Sequence, residues 1–105
     1  MPELKTNPQL KDIQQYVKDL EEERGFSQEE VIKKCLLLGE EIGELFKAIR
    51  KEEKLKLDSH SKIGNIKEEL ADIIIYICAI ANRYNIDLED AFRNKEEQTK
   101  KRKWE

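Results

Sequence analysis

Two short acidic patterns are the residues of this chain best suited to chemistry: Glu40-Glu41-Ile42-Gly43-Glu44 and Glu69-Leu70-Ala71-Asp72. Carboxylates three residues apart leave a helix on the same side. On a helical wheel Leu37, Glu41, Glu44 and Ala48 share one row that borders an apolar stripe. Asn65, Glu69, Asp72, Tyr76 and Arg83 share another, the one polar row on an otherwise apolar helix. If the two helices are antiparallel neighbours, the pairs Glu41/Glu44 and Glu69/Asp72 face each other. Four negative charges at the edge of a core repel unless something neutralises them. Carboxylate oxygens are ligands for Mg²⁺, Mn²⁺ and Ca²⁺. Mg²⁺ is the expected ion because it keeps several waters and accepts phosphate oxygens. The plain alternative is a set of surface acids paired with nearby lysines. Glu40 and Glu68 point farther outward and are not expected as ligands. A di-iron bundle is disfavoured, since it uses Glu-x-x-His on its helices, whereas the single histidine, His60, falls in a loop.

The elements that must position these groups read as helices throughout. Asn7-Pro8 resembles an N-cap followed by proline at the first helical position. The first helix then covers about 8–24, with Leu10, Ile13, Tyr16, Val17 and Leu20 on one face, and Gly25 stops it. Ser27-Gln28-Glu29-Glu30 has the form of a capping box opening a second helix over 28–53. Its apolar stripe is Val31, Cys35, Leu38, Ile42, Leu45 and Ile49. Leu55 to Gly64, with Asp58, Ser59, His60 and Ser61, reads as a loop. A third helix spans about 64–84 and ends at Asn85; Asp87 caps a fourth from Leu88. The expected architecture is all-α: three long helices and a shorter C-terminal one. The third helix is apolar almost all round, from Ile73 through Ala81. Three short neighbours can hardly cover such a cylinder, so the sequence predicts that copies of the chain pack into an oligomeric helical bundle.

Length and composition narrow the function classes. The 105 residues make one domain, 41% charged and 38% hydrophobic, with charges interspersed at helical spacing and not blocked as in disordered segments. A net charge of −3 argues against whole-surface binding of nucleic acid. Lys95, Lys100, Lys101, Arg102 and Lys103 nevertheless give the tail a basic character. Cys35 and Cys78 fall in apolar helical stretches, which suits two buried thiols in a reducing cytoplasm better than a disulfide. No apolar run approaches the length of a membrane span.

The EExxE and ExxD patterns together resemble the MazG-like all-α nucleoside triphosphate pyrophosphohydrolases, relatives of the dCTP pyrophosphatases and dimeric dUTPases. The flanking stretches LLLGEEIGELFKAIRK and EELADIIIYICAIANRYNIDLEDAF are similar to that family's two metal helices. The likeness covers about 27–102 of a single domain spanning 1–105. It implies Mg²⁺-dependent hydrolysis, with Mn²⁺ as a substitute ion, of (d)NTP to (d)NMP and pyrophosphate. It implies metal ligation by Glu41, Glu44, Glu69 and Asp72. Glu40, or a ligand carboxylate with a free oxygen, would accept the proton of the attacking water. Tyr76, Lys95 and Arg102 match positions that contact substrate in the family. The chain departs from the pattern at Thr99, where the family has an asparagine four residues after the lysine. Phe26, Tyr16 and Trp104 are candidates for the base pocket, and Asn82 has the polarity to touch a base, though solvent exposure is the plainer reading for it. Nucleotide-pool sanitising, a cytoplasmic location and a homotetramer built across subunits, with a dimer as the alternative, are further family-level expectations. Two competing readings stand beside this one. The first is a non-catalytic helical oligomer that binds a metal or a partner. The second is a dimer scaffold whose basic tail contacts nucleic acid, which the shortness of the tail disfavours.

Overall fold

The computed structural model describes residues 1–57, 59, 60 and 62–102. Trp104, proposed above for base stacking, and Asp58, Ser61 and Lys103 lie outside the described residues. Four helices follow one another: α1 Leu10–Arg24, α2 Val31–Glu52, α3 Ile66–Arg83 and α4 Leu88–Lys100. The described residues contain no strand, and none of their helices is long and apolar enough to cross a membrane.

Local chemistry sets the helix ends, twice at positions other than the sequence suggested. Asn7 does not cap α1. It takes a left-handed conformation (φ 53°), Gln9 becomes the N-cap, and the Gln9 N–H donates to Asp12 Oδ2 at 2.8 Å. Gly25 does stop the helix. Its φ of 75° is a conformation that costs glycine little, and it lets the Phe26 N–H return to the Glu21 carbonyl at 2.7 Å. The capping box at Ser27 does not form, and α2 starts at Val31 with Glu30 as N-cap. The carboxylate that would have completed the box, or stood next to it, is used elsewhere: Glu29 binds Lys33 and Lys34, and its carbonyl accepts from Arg83 Nε. Asn65 caps α3, accepting the Glu68 N–H at 2.8 Å, and Asp87 caps α4 through the Asp90 N–H at 3.1 Å.

α2 packs along α3, α1 lies against α3, and α4 rests chiefly on α1. Arg83, ending α3, bonds Glu29 just before α2, whereas Glu69 near the start of α3 meets Glu41 in mid-α2; the pair therefore runs antiparallel. The core is small: Val17, Cys78 and Ala79, with Ile13 and Leu88 packed against them. A polar clasp locks its α1–α4 side. The buried Gln14 donates to the Ile86 carbonyl at 2.9 Å and to Asn82 Oδ1 at 3.2 Å, and accepts the Leu88 N–H at 2.8 Å. Asn82 Nδ2 donates back to the Gln14 carbonyl at 2.9 Å. Asn82 is half-buried and ties α3 to α1.

Two expectations about α2 need correcting. Cys78 is buried, but Cys35 is exposed. The side of α2 that meets α3 is the row Lys34, Leu37, Glu41, Ala48, and this rotates part of the apolar stripe outward. Ile32, Leu36 and Phe46 on α2, and Leu70, Ile74 and Ile77 on α3, are likewise exposed.

Candidate metal centre

The antiparallel α2–α3 pair brings three of the four predicted carboxylates together. Glu41, Glu69 and Asp72 each offer one oxygen, and these oxygens lie within 4.8 Å of one another. That is the spacing of ligands around one hard cation bound at roughly 2.0–2.6 Å. Glu69 is buried, Glu41 and Asp72 half-buried. Glu44, one turn on from Glu41, stands outside the triad, with its Oε1 3.5 Å from Lys47 Nζ. Glu40 is exposed, yet its charge reaches the site: it adds to the repulsion felt by Glu41 and by Tyr76.

Among the described residues no cation pairs with the triad, and buried Glu69 Oε2 has no hydrogen-bond partner. The Glu41 carboxyl is pushed up to about 7, first by the hydrogen bond its proton makes to Glu69. Burial and the charges of Glu69, Asp72 and Glu40 push in the same direction. Sharing a proton is one relief; a divalent cation is a better one, because it can meet one oxygen from each of the three carboxylates at once. Oxygen donors alone, with one oxygen orphaned, fit Mg²⁺ or Mn²⁺.

A cleft of about 340 Å³ opens from Asp72 between α1, α2 and α3. Tyr76, Leu37, Ile75 and Ala79 line its wall, and Phe26 stands at its far side. Burial raises the Tyr76 hydroxyl above its ordinary value, and the charges of Glu41, Asp72, Glu40 and Glu29 add to the shift. Tyr76 thus lies beside the triad, as expected, and Phe26 shares the same cleft. Tyr16 does not; it lies among Glu3, Leu4 and Lys5 on another side of α1. Lys95 and Arg102 are exposed and do not line the cleft of their own chain. Thr99 turns its hydroxyl onto the Lys95 carbonyl at 3.0 Å.

Sequence reasoning missed the ion network at the far end of the cleft. Arg83 Nη1 and Nη2 donate to the two carboxylate oxygens of buried Glu21 at 2.9 and 2.7 Å. The same guanidinium donates to the carbonyls of Phe26, Glu29 and Ala79. Lys34, only 5% exposed, places Nζ 2.9 Å from Glu29 and 3.6 Å from Glu21, and 5.1 Å from the centre of the Phe26 ring. The salt-bridged lysines, Lys33 then Lys34, hold the Glu29 carboxyl down at about 2. The clue was available: Glu21 stands one turn after Val17, and Lys34 one turn before Leu37 and two before Glu41, so both lie on inward rows.

The site is thus an acidic triad on an antiparallel helix pair of an all-α chain, beside a cleft that Asp72 helps to line. The model of the MazG nucleotide pyrophosphohydrolase domain matches residues 33–104, and the chain belongs to that family. No curated protein matches it by sequence. Among solved structures, it is similar to iMazG from Vibrio DAT 722, with 30% identity and a TM-score of 0.69. The likeness covers 89% of this chain and 99% of that one.

Proposed function

We propose that the chain is a divalent-metal-dependent nucleoside triphosphate pyrophosphohydrolase, which converts (d)NTP and water to (d)NMP and pyrophosphate. The observation that carries this reading is the carboxylate triad of Glu41, Glu69 and Asp72, with its orphaned Glu69 oxygen, of which Asp72 lines the cleft. These three residues would hold Mg²⁺, or Mn²⁺ in its place, and Glu44 would join them by releasing Lys47. The bound ion supplies neutralisation of the triphosphate and activation of the α-phosphoryl group and of water. The chain's own residues do the rest. Tyr76 stands where it can donate to the phosphates or sugar next to Asp72. Leu37, Ile75 and Ala79 exclude water from the nucleoside, and Phe26 offers its ring to the base. Water attacks the α-phosphorus, the bond to the oxygen shared with the β-phosphate breaks, and pyrophosphate leaves. Glu40, or a free oxygen of a ligand carboxylate, takes the proton from the attacking water.

We further propose that the working unit is a homo-oligomer, a tetramer before a dimer. A compact monomer of this mass exposes about 6,200 Å² by the usual scaling, whereas this chain exposes 8545 Å². The excess is at least the size of an ordinary protein interface, roughly 1,600 Å² in total. Ile32, Leu36 and Phe46 of α2 and Leu70, Ile74 and Ile77 of α3 are among the exposed apolar residues that could supply such an interface. Lys95 and Arg102 would meet a phosphate chain only from a neighbouring copy. Removal of surplus or altered nucleotides in the cytoplasm is the role this activity would serve.

The test is pyrophosphate release from a panel of canonical and modified NTPs and dNTPs, in Mg²⁺ or EDTA, for wild type and Glu41→Gln. Release that needs Mg²⁺, yields the matching monophosphate and is lost in the variant supports the reading. Silence across the panel from a folded oligomer overturns it and favours a non-catalytic metal- or partner-binding bundle.

A further inference from the structure

The loop before α3 passes close against Glu69 of the triad. Glu69 is the fourth residue of α3, and helical side chains lean toward the N-terminus of their helix, so its carboxylate reaches back over the first turn. The residue it meets there is Gly64, immediately before the Asn65 cap. A β-carbon placed on Gly64 would collide with Glu69 Oε1 and stand 3.3 Å from its carboxyl carbon. Gly64 is not a positive-φ glycine, a set that among the described residues holds Gly25 alone, so its backbone conformation does not call for glycine. The space is the reason. In many helices this pair of positions forms an apolar staple, with a hydrophobic residue before the cap packed on the fourth helical residue. Here the staple is replaced by a glycine and a carboxylate.

We propose that Gly64 is a positioning residue for the metal centre: its missing side chain is the room in which the Glu69 carboxylate is held toward Glu41 and Asp72. The proposal rests on the triad being a cation site. Backbone movement does not relieve the conflict easily, because the Asn65 side chain is bonded to the Glu68 N–H at 2.8 Å and the Asn65 carbonyl to the Glu69 N–H at 3.1 Å. The yielding part is the end of the Glu69 side chain. Any residue larger than glycine at 64 therefore turns Glu69 away from the triad while leaving α3 intact.

The experiment is Mn²⁺ binding, followed by electron paramagnetic resonance and calorimetry, with thermal unfolding in EDTA measured beside it. Four full-length proteins are compared: wild type, Gly64→Ala, Glu69→Ala and the double variant. Expected are tight binding by wild type and affinity lower by on the order of 10–100-fold in Gly64→Ala. Melting of Gly64→Ala in EDTA should match or exceed wild type, and the alanine at 64 should have no further effect once Glu69 is alanine. Failure of wild type to bind Mn²⁺ removes the metal reading itself. Binding by wild type with equal affinity in Gly64→Ala overturns only the role of Gly64. An additive loss in the double variant, or a Gly64→Ala protein that melts much earlier with or without Glu69, overturns it as well by showing a structural role.

Discussion

The two ends of the α2–α3 pair each carry a group of partly buried acids, and the chain treats them oppositely. At the end nearest the α1–α2 turn, Glu21 and Glu29 are met by Arg83, Lys34 and Lys33, and Glu29 is drawn down to about 2. At the other end Glu41, Glu69 and Asp72 meet one another, Glu41 rises to about 7 and a Glu69 oxygen has no partner. A chain rich in lysine could have supplied a cation to both. Among the described residues it does so at one end alone, where the cations tie down the turn carrying Phe26; under the proposed function the unpaired end is the one that takes a metal ion.

Breaking the unpaired end should give the largest functional effect and the smallest structural one. Asp72→Asn keeps shape and removes one charge from an over-charged cluster. Activity measured as pyrophosphate release is expected to fall by about 10²–10³-fold, comparable to removing a principal electrostatic contributor to catalysis. Melting in EDTA should hold steady or rise. A variant that keeps most of its activity would place the metal elsewhere.

Breaking the paired end should reverse this pattern. Arg83→Ala leaves buried Glu21 with Lys34 alone, at 3.6 Å, and takes one donor from each of the carbonyls of Phe26, Glu29 and Ala79. Removing one partner of a buried pair costs about 3–5 kcal/mol, and the partial exposure here places the expectation at the lower figure. Chemical denaturation should register the loss, while Mn²⁺ affinity of the protein that remains folded should change little. If Mn²⁺ affinity collapses without a loss of stability, the two ends are not independent.

How much of this could be read beforehand follows the same division. Periodicity sufficed for four helices, and for Glu41, Glu69, Asp72 and Tyr76 on facing rows, because helical geometry fixes which side chains share a face. The stops at Gly25 and the cap at Asp87 were legible for the same local reason. Ser27 was misleading because the backbone beside it answers to a partner far along the sequence: Arg83 takes the Glu29 carbonyl. Cys35 was misplaced because an apolar stripe does not reveal which of its edges turns toward the neighbouring helix. Lys34 and Glu21, each a charge on an inward row, are hard to see until both halves of the pair are in view. Glu44 was placed by spacing, and spacing cannot say whether Lys47 holds it aside.

The smallest effect is also the sharpest comparison, because the two ends titrate in opposite directions and in separate windows. Glu41 is raised from 4.5 to about 7 in the folded chain, so folding takes up a proton between those values. Its contribution is complete below about 4.5 and is lost as pH rises through 7. Glu29 is lowered from 4.5 to about 2, so its contribution is present above 4.5 and is lost as pH falls through 2. In EDTA, raising the pH from 5 to 8 should therefore lower stability by about 1 kcal/mol after solvent screening, a melting shift of roughly 4–8 °C. Glu41→Gln should flatten that slope and leave the acid limb unchanged, whereas Glu29→Gln should weaken the acid limb alone. Adding Mn²⁺ above pH 7 should restore what deprotonation removed, since the ion then takes the place of the shared proton. A slope between pH 5 and 8 that survives in Glu41→Gln would assign the proton to another group and dissolve the contrast between the two ends.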